Sequence, residues 1–451
     1  MKNIWSKSSK EDIEEIFNFC EGYKKFLSMN KTERECIAFA VKIAEKFGYK
    51  NLENVIKNKQ GLKPGDKIFA INMGKMIVLA HIGNDNIEKG LNIIGAHIDS
   101  PRIDLKSCPL YENSDLAFFD THYYGGIKKY QWLALPLAFH GVVCKKDGSK
   151  LQFNIGDKPD DPVFTITDLL PHLSKNVKIE NLNGEMLNIL IGSMPAQSKQ
   201  KMFSKNIIEY LKKQGIGLED LISSEIEVVP AGEARDLGFD RSMILGYGQD
   251  DRICAYASLL ALLSQKETPV RTSICMLVDK EEVGSYGATG MSSRFFENFI
   301  EEIVFLLGLF PISSRRALRK SFMISSDVTA AYDPNYPSPM NRETEAFLSR
   351  GVSFNKYTGS KGKSDSNDAN PEFIAKIRKL LDENNICYQF TEMGKVDEGG
   401  GGTIAHIMSR YGMEVIDAGV PLLNMHAPWE VASKADIYES FKFYKIFYTL
   451  N

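Results

Sequence analysis

Thr272-Ser273-Ile274-Cys275-Met276-Leu277-Val278-Asp279-Lys280-Glu281-Glu282-Val283-Gly284-Ser285 sets an uninterrupted apolar run directly before three carboxylates. A run this short, apolar in both side-chain directions, reads as a strand buried on both faces. Acids clustered at the carboxyl end of such a strand stand where open α/β sheets bind their ligands. Their mutual repulsion is costly unless a cation neutralises it. A plain solvated loop is the competing account of the same residues.

The arrangement recurs on both sides of this stretch. Leu91–Ala96 runs into His97-Ile98-Asp99-Ser100-Pro101, Phe322-Met323-Ile324-Ser325-Ser326 ends on Asp327, and Leu422-Leu423-Asn424-Met425 precedes His426. Gly246-Tyr247-Gly248-Gln249-Asp250-Asp251-Arg252 places two carboxylates and an arginine before an apolar helix expected over 255–264. In His97-x-Asp99 the strand period of two puts both side chains on one face, where imidazole can bind a metal and a carboxylate can fix a ring tautomer. Each motif alone has a plainer account: a turn before Pro101, a helix N-cap at Asp250-Asp251, a satisfied core histidine at His426. Jointly they bring His, Asp, Glu, Asp and His from five strand ends or adjoining loops. That is an N/O donor set suited to two divalent ions with one bridging carboxylate.

Further out, Ile13, Ile16, Phe17 and Cys20, then Cys36, Ala40, Ile43 and Phe47, recur at helical spacing and predict an N-terminal helical pair. Short β-type runs follow at 67–71, 76–80 and 91–96. Between about Leu105 and Phe239 the chain turns β-leaning and turn-rich, as in Gln152–Asp157 and Ser224–Pro230, with one helix expected over 203–215. After Gly246 helix and strand alternate again, with strands over 272–279, 322–327 and 414–418 and helices over 294–299, 373–384 and 435–448. The expected fold is therefore α/β: a mixed sheet flanked by helices, forming a discontinuous catalytic domain (1–105 and 240–451) around an inserted β-rich domain (106–239).

The chain has 451 residues, 43% hydrophobic and 25% charged, which excludes a disordered or low-complexity protein. Its 55 basic and 58 acidic residues give a formal charge of −3, with no electrostatic call for nucleic acid or an anionic membrane. Seven cysteines without a C-x-x-C pair read as reduced cytosolic thiols. No apolar segment follows the basic start as a signal peptide requires, and none approaches a membrane span. A cytoplasmic protein is expected.

Ala96-His97-Ile98-Asp99-Ser100-Pro101, Gln249–Arg252, Asp279–Ser285, Ser325–Asp327 and Met425-His426-Ala427-Pro428-Trp429-Glu430 resemble, in order, the motifs of the M18 metallo-aminopeptidases, the aspartyl and vacuolar aminopeptidase group. The resemblance runs from the N-terminal helices to the last residue. It implies a zinc-peptidase-like fold with an inserted dimerisation domain, and His97, Asp250, Glu282, Asp327 and His426 as ligands of two metals, with Asp250 bridging. Asp250 is taken over Asp251 because the related motif has the bridging Asp followed by Asn or Asp. Glu281 is implied as general base to a metal-bridged water and Asp99 as a supporting carboxylate. His172, in Pro171-His172-Leu173, is implied to reach a neighbouring subunit's active site. The implied metal is zinc, with cobalt or manganese as alternatives, and the implied assembly is a dodecamer built from dimers. Substrates are peptides with a free N-terminus; the preferred residue, acidic or aliphatic, is not legible. Lys280 stands where many members have His and displaces no ligand. Among Lys356, Lys361 and Lys363 one is expected near the substrate, against the alternative of a solvated run.

Two other functions stay open: a related M42-type peptidase, deacylase or deblocking enzyme on the same core, and a catalytically idle oligomeric scaffold. Glu398-Gly399-Gly400-Gly401-Gly402-Thr403 lacks the Lys-Ser/Thr of a phosphate-binding loop. The glycines of 284–290 read as a tight turn.

Overall fold

Ser9 and Thr32 open the first two helices, Lys10–Met29 and Glu33–Lys46, each through a reciprocal pair of bonds. Ser9 Oγ accepts the Asp12 N–H (3.1 Å) while the Asp12 carboxylate accepts the Ser9 N–H (2.8 Å). Thr32 and Glu35 repeat the pattern at 3.2 and 3.1 Å. Such boxes satisfy donors that a helix start otherwise leaves open. Ile16, Cys20, Tyr23 and Leu27 form the buried stripe of the first helix. Ile13 and Phe47, expected on the inner faces, are exposed. Ile13 is in the opening turn, and Phe47 lies just past the second helix, where the periodicity no longer points inward.

The computed structural model describes residues 3–174, 182–196, 203–359 and 362–451. It divides into two compact units, the first comprising Met1–Asp99, Arg235–Met425 and Glu430–Asn451, the second Ser100–Ala234 with His426–Trp429.

The first unit is built on a nine-stranded mixed sheet in the order Lys50–Asn51, Lys67–Asn72, Met76–His81, Ser273–Val278, Asn92–His97, Phe322–Ser325, Glu414–Gly419, Val352–Asn355, Tyr388–Thr391. Its centre is parallel: Ser273–Val278 and Phe322–Ser325 both pair parallel with Asn92–His97, and Phe322–Ser325 with Glu414–Gly419. The run that reads as buried on both faces is so. Ile274, Met276 and Val278 join Phe296, Phe299, Ile300 and Ile303 of the helix Phe295–Leu306 in one core. On the opposite face Cys275 Sγ lies 3.7 Å from Ser258 Oγ of the helix Gln249–Leu263. That helix is apolar almost all round and correspondingly buried. Each large apolar side chain withdrawn from water in this sandwich contributes about 1.5–3 kcal/mol. A five-stranded sheet, containing Met243–Gly246 and Glu430–Ser433, and the closing helix Lys434–Phe447 complete the unit.

The second unit carries an antiparallel sheet in the order Lys150–Gln152, Leu137–Cys144, Ser224–Pro230, Arg102–Asn113, Leu116–Tyr124, Ile189–Gly192. The helix Phe203–Lys213 packs against its last three strands. Trp132, Phe119, Phe139 and Phe153 are buried in its core. The β-run expected over Gln152–Asp157 is shorter in the structure. Its strand ends at Gln152, and Ile155 keeps only an isolated bridge to Phe139 before Gly156 turns at φ 121°.

All seven cysteines are free thiols. Among the described residues no helix is long and apolar enough to cross a membrane.

Candidate metal centre

Three neighbouring parallel strands end at the same edge, with Val278 level with His97 and Ser325 level with Gly95. Their carboxyl ends release His97, the pair Glu281-Glu282, and Asp327. Asp250 arrives at the head of the helix Gln249–Leu263. Two overlapping sets result, His97 with Asp250 and Glu282, and His97 with Glu281 and Asp327, each with its ligand atoms within 4.8 Å of one another. His97 Nε2 lies 3.1 Å from Asp250 Oδ1, 3.7 Å from Asp327 Oδ1 and 3.9 Å from Glu281 Oε2.

Asp250 and Asp251 are not an ordinary cap. Both depart from helical geometry (φ −80°, ψ 107° and φ −116°, ψ 25°), and the peptide bond between them is cis. Asp250 joins the donor set, whereas Asp251 turns away and its Oδ2 accepts the His97 N–H at 3.3 Å. Nor does His97-x-Asp99 share a strand, because the strand stops at His97. The chain beyond it folds Asp99 back, so that His97 Nδ1 lies 3.0 Å from the Asp99 carbonyl oxygen and 3.3 Å from Asp99 Oδ1. With only acceptors there, Nδ1 carries the proton and points Nε2 at the carboxylates.

The electrostatics of this cluster follow from crowding. Burial first, then the carboxylates of Asp327, Asp99 and Asp250, push Glu281 up to about 8, with only His97 opposing. Burial likewise raises Asp327, against its bond to His97. For His97 burial disfavours the charged ring, but hydrogen bonds to Asp250, Asp327 and Asp99 outweigh it and raise the group well above its ordinary value. The two sets thus hold four carboxylates against a single basic group. Such a site is costly with protons alone and is relieved by a divalent cation. Imidazole and carboxylate donors suit zinc and similar ions, so the residues present fit a metal.

Several supports were not legible as such. Glu430 Oε2 accepts the Asp250 N–H at 3.1 Å, although the motif containing Glu430 assigned it no role. Asp99 Oδ1 and Oδ2 accept the N–H groups of Glu281 (3.1 Å) and Glu282 (3.2 Å). These bonds join residues about 180 positions apart, and no local pattern announces them.

The remaining expected residues are placed as follows. His426 belongs to the second unit, where its Nδ1 lies 3.0 Å from the Gly126 carbonyl oxygen. His172 is exposed in a turn of the same unit. Lys356 and Lys363 both face Asp368, at 3.6 and 3.0 Å, and Lys363 also lies over the Tyr357 ring. Lys361 lies outside the described residues.

Residues 26–448 match the family model described as aminopeptidase I zinc metalloprotease (M18). The chain is 53% identical to a protein of Clostridium acetobutylicum named probable M18 family aminopeptidase 1, over 99% of this chain and 97% of that one. It is 46% identical to the protein of the same name from Borrelia garinii, over 99% of each. The crystal structure of an M18-family aminopeptidase from Thermotoga maritima superimposes with a TM-score of 0.95 at 43% identity, covering 100% of this chain and 99% of that one. A structure described as the mApe1 dodecamer of S. cerevisiae shares the fold, with a TM-score of 0.77 at 21% identity over 95% of this chain and 96% of that one.

Proposed function

The chain belongs to the M18 family and is a metallo-aminopeptidase; on that premise we propose that it removes the N-terminal residue from peptides at a two-metal centre held by His97, Asp250, Glu282, Asp327 and His426. The observation that carries this reading is the pair of donor sets meeting at His97 on one sheet edge. The resemblance to the M18 motifs implies that Asp250, 3.1 Å from His97 Nε2, would be the carboxylate shared by the two ions. Zinc is the expected ion, with cobalt or manganese as alternatives. Bound divalent ions would supply Lewis-acid polarisation of the scissile carbonyl and lower the pKa of a water towards about 7.

The chain's own residues do the rest. Glu281 takes a proton from the attacking water and returns it to the departing amine, a role supported by the place of its carboxylate beside the donor set, 3.9 Å from His97 Nε2. Asp99 fixes where that carboxylate stands, through the Glu281 and Glu282 N–H groups. Asp251 and Glu430 hold the backbone of His97 and Asp250. His172, exposed here, acts in a neighbouring subunit's site as an oxyanion donor, a contribution worth about 3–4 kcal/mol for such groups. This assigns residues 106–239 to oligomerisation in a dodecamer, the state named for the S. cerevisiae relative. The seven free thiols support a cytoplasmic location.

A panel of aminoacyl and N-blocked chromogenic substrates, assayed on metal-depleted protein reconstituted separately with zinc, manganese and cobalt, tests the proposal. Hydrolysis restricted to free-amine substrates is expected. Cleavage of blocked substrates points to a deblocking enzyme instead, and about two metals per chain without hydrolysis points to an idle scaffold.

A further inference from the structure

Asp279 is fully buried at the end of the strand Ser273–Val278, belongs to neither donor set, and has no part in the mechanism above. Its hydrogen bonds all concern one loop. Its N–H donates to the Thr289 carbonyl oxygen (3.2 Å), and its Oδ2 accepts the Thr289 hydroxyl (2.5 Å). Its Oδ1 accepts the Lys280 N–H (2.8 Å). Asp279 and Gly290 also form an isolated parallel bridge. Asp279 and Thr289, both buried, therefore tie together the two ends of the segment 280–288. Glu281 and Glu282 ride inside it.

This segment is poorly served by local preference. Lys280 (φ 72°) and Ser285 (φ 60°) are left-handed without being glycine, and Gly284 (φ 92°) and Gly287 (φ 103°) add two more such turns. Left-handed backbone costs an ordinary residue about 1–2 kcal/mol, so surrounding structure must hold the shape. Among the holders are the Asp99 carboxylate on the Glu281-Glu282 amides, Asn72 Nδ2 on the Ala288 carbonyl oxygen and the Asp279–Thr289 closure at the loop's neck. Lys75 and Lys280 Nζ, 3.8 and 3.9 Å from Asp279 Oδ2, offset its charge.

We propose that Asp279 and Thr289 are positioning residues for peptide hydrolysis, their hydroxyl–carboxylate bond closing the loop that sets the Glu281 carboxylate in place. The inference rests on the role of Glu281 proposed above. A misplacement of about 1 Å at a reacting group costs roughly 100-fold in rate, whereas substrate binding is less sensitive to it.

Thr289→Val removes the hydroxyl at nearly constant volume. The expected result, on metal-loaded protein, is a fall in kcat of about tenfold or more with KM within about twofold. Because Glu282 rides in the same loop, rates are compared at saturating metal, and Thr289→Ser, which keeps the hydroxyl, regains most of the rate. Asp279→Ala, which removes the acceptor of the Thr289 hydroxyl, serves as the second variant if Thr289→Val does not fold, and the same split is expected of it. A wild-type kcat in Thr289→Val, equal losses in the Val and Ser variants, or a loss that saturating metal restores overturns the proposal. Glu281→Gln run alongside separates the two ideas. An active Glu281→Gln removes the base itself, whereas an inactive one beside a wild-type Thr289→Val removes only the positioning role.

Discussion

Asp99 Oδ1 accepts the backbone N–H of Glu281 at 3.1 Å, across 182 positions of sequence. The same carboxylate reaches Glu282 N–H and His97 Nδ1, so one side chain orients the proposed base and two proposed ligands. Asp99→Ala leaves two backbone donors without their acceptor, and orphaning a buried group costs about 1–3 kcal/mol each. We expect kcat to fall about 100-fold and metal affinity to fall with it. Asp99→Asn, which retains an acceptor for one donor, should be intermediate. Steady-state kinetics with metal titration checks the order.

Metal removal should destabilise the folded protein. A ligand that binds only the native state stabilises by about 4 kcal/mol at a thousandfold excess over its Kd. Its loss also returns the Asp250, Glu281, Glu282 and Asp327 carboxylates to one another. A chelator should therefore lower Tm by several degrees, and zinc should restore it. Asp250→Ala should show no chelator effect. A Tm unmoved by chelation in the wild-type protein argues against a resident metal.

Asp436 offers a pH test away from the centre. It is fully buried in the first turn of the closing helix and accepts the N–H groups of Ser349 (2.6 Å) and Gly351 (2.7 Å). Burial pushes its carboxyl up to about 8 from 3.8, against these bonds. A folded-state pKa above the unfolded value means the native state holds the extra proton. The contribution is full below the unfolded pKa and is lost as pH rises through about 8. Asp436→Asn removes the titration, so the stability of wild type relative to the variant should fall from pH 5 to 7 by up to about 1.4 kcal/mol per unit. Denaturant unfolding of both proteins at each pH reads this directly. A constant difference across the window contradicts the raised pKa.

Much of the first unit is legible because its elements carry their own periodicity. Ile274 to Val278 are apolar in both directions, and the structure puts a helix on each face. The acids and histidine at strand ends stand out for the same reason, since a charge ending an apolar run has few structural causes. What depends on through-space closure is not legible. Asp250-Asp251 looks like an N-cap in sequence, yet Asp250 enters the donor set and Asp251 braces His97, because the helix opens with non-helical residues. His97-x-Asp99 looks like one strand face, but the chain leaves the strand after His97 and brings Asp99 back by its own turn. That His426–Trp429 groups with residues 100–234 has no local signature either.

The most direct measurement is the turnover of Glu281→Gln at matched metal content. The glutamine keeps the size of the side chain, can no longer take a proton, and leaves His97, Asp250, Glu282, Asp327 and His426 untouched. With a general base contributing typically about 100- to 10,000-fold, the variant should retain two metals per chain and lose turnover on free-amine substrates by at least about 100-fold. A metal-loaded Glu281→Gln that hydrolyses them at the wild-type rate contradicts the account.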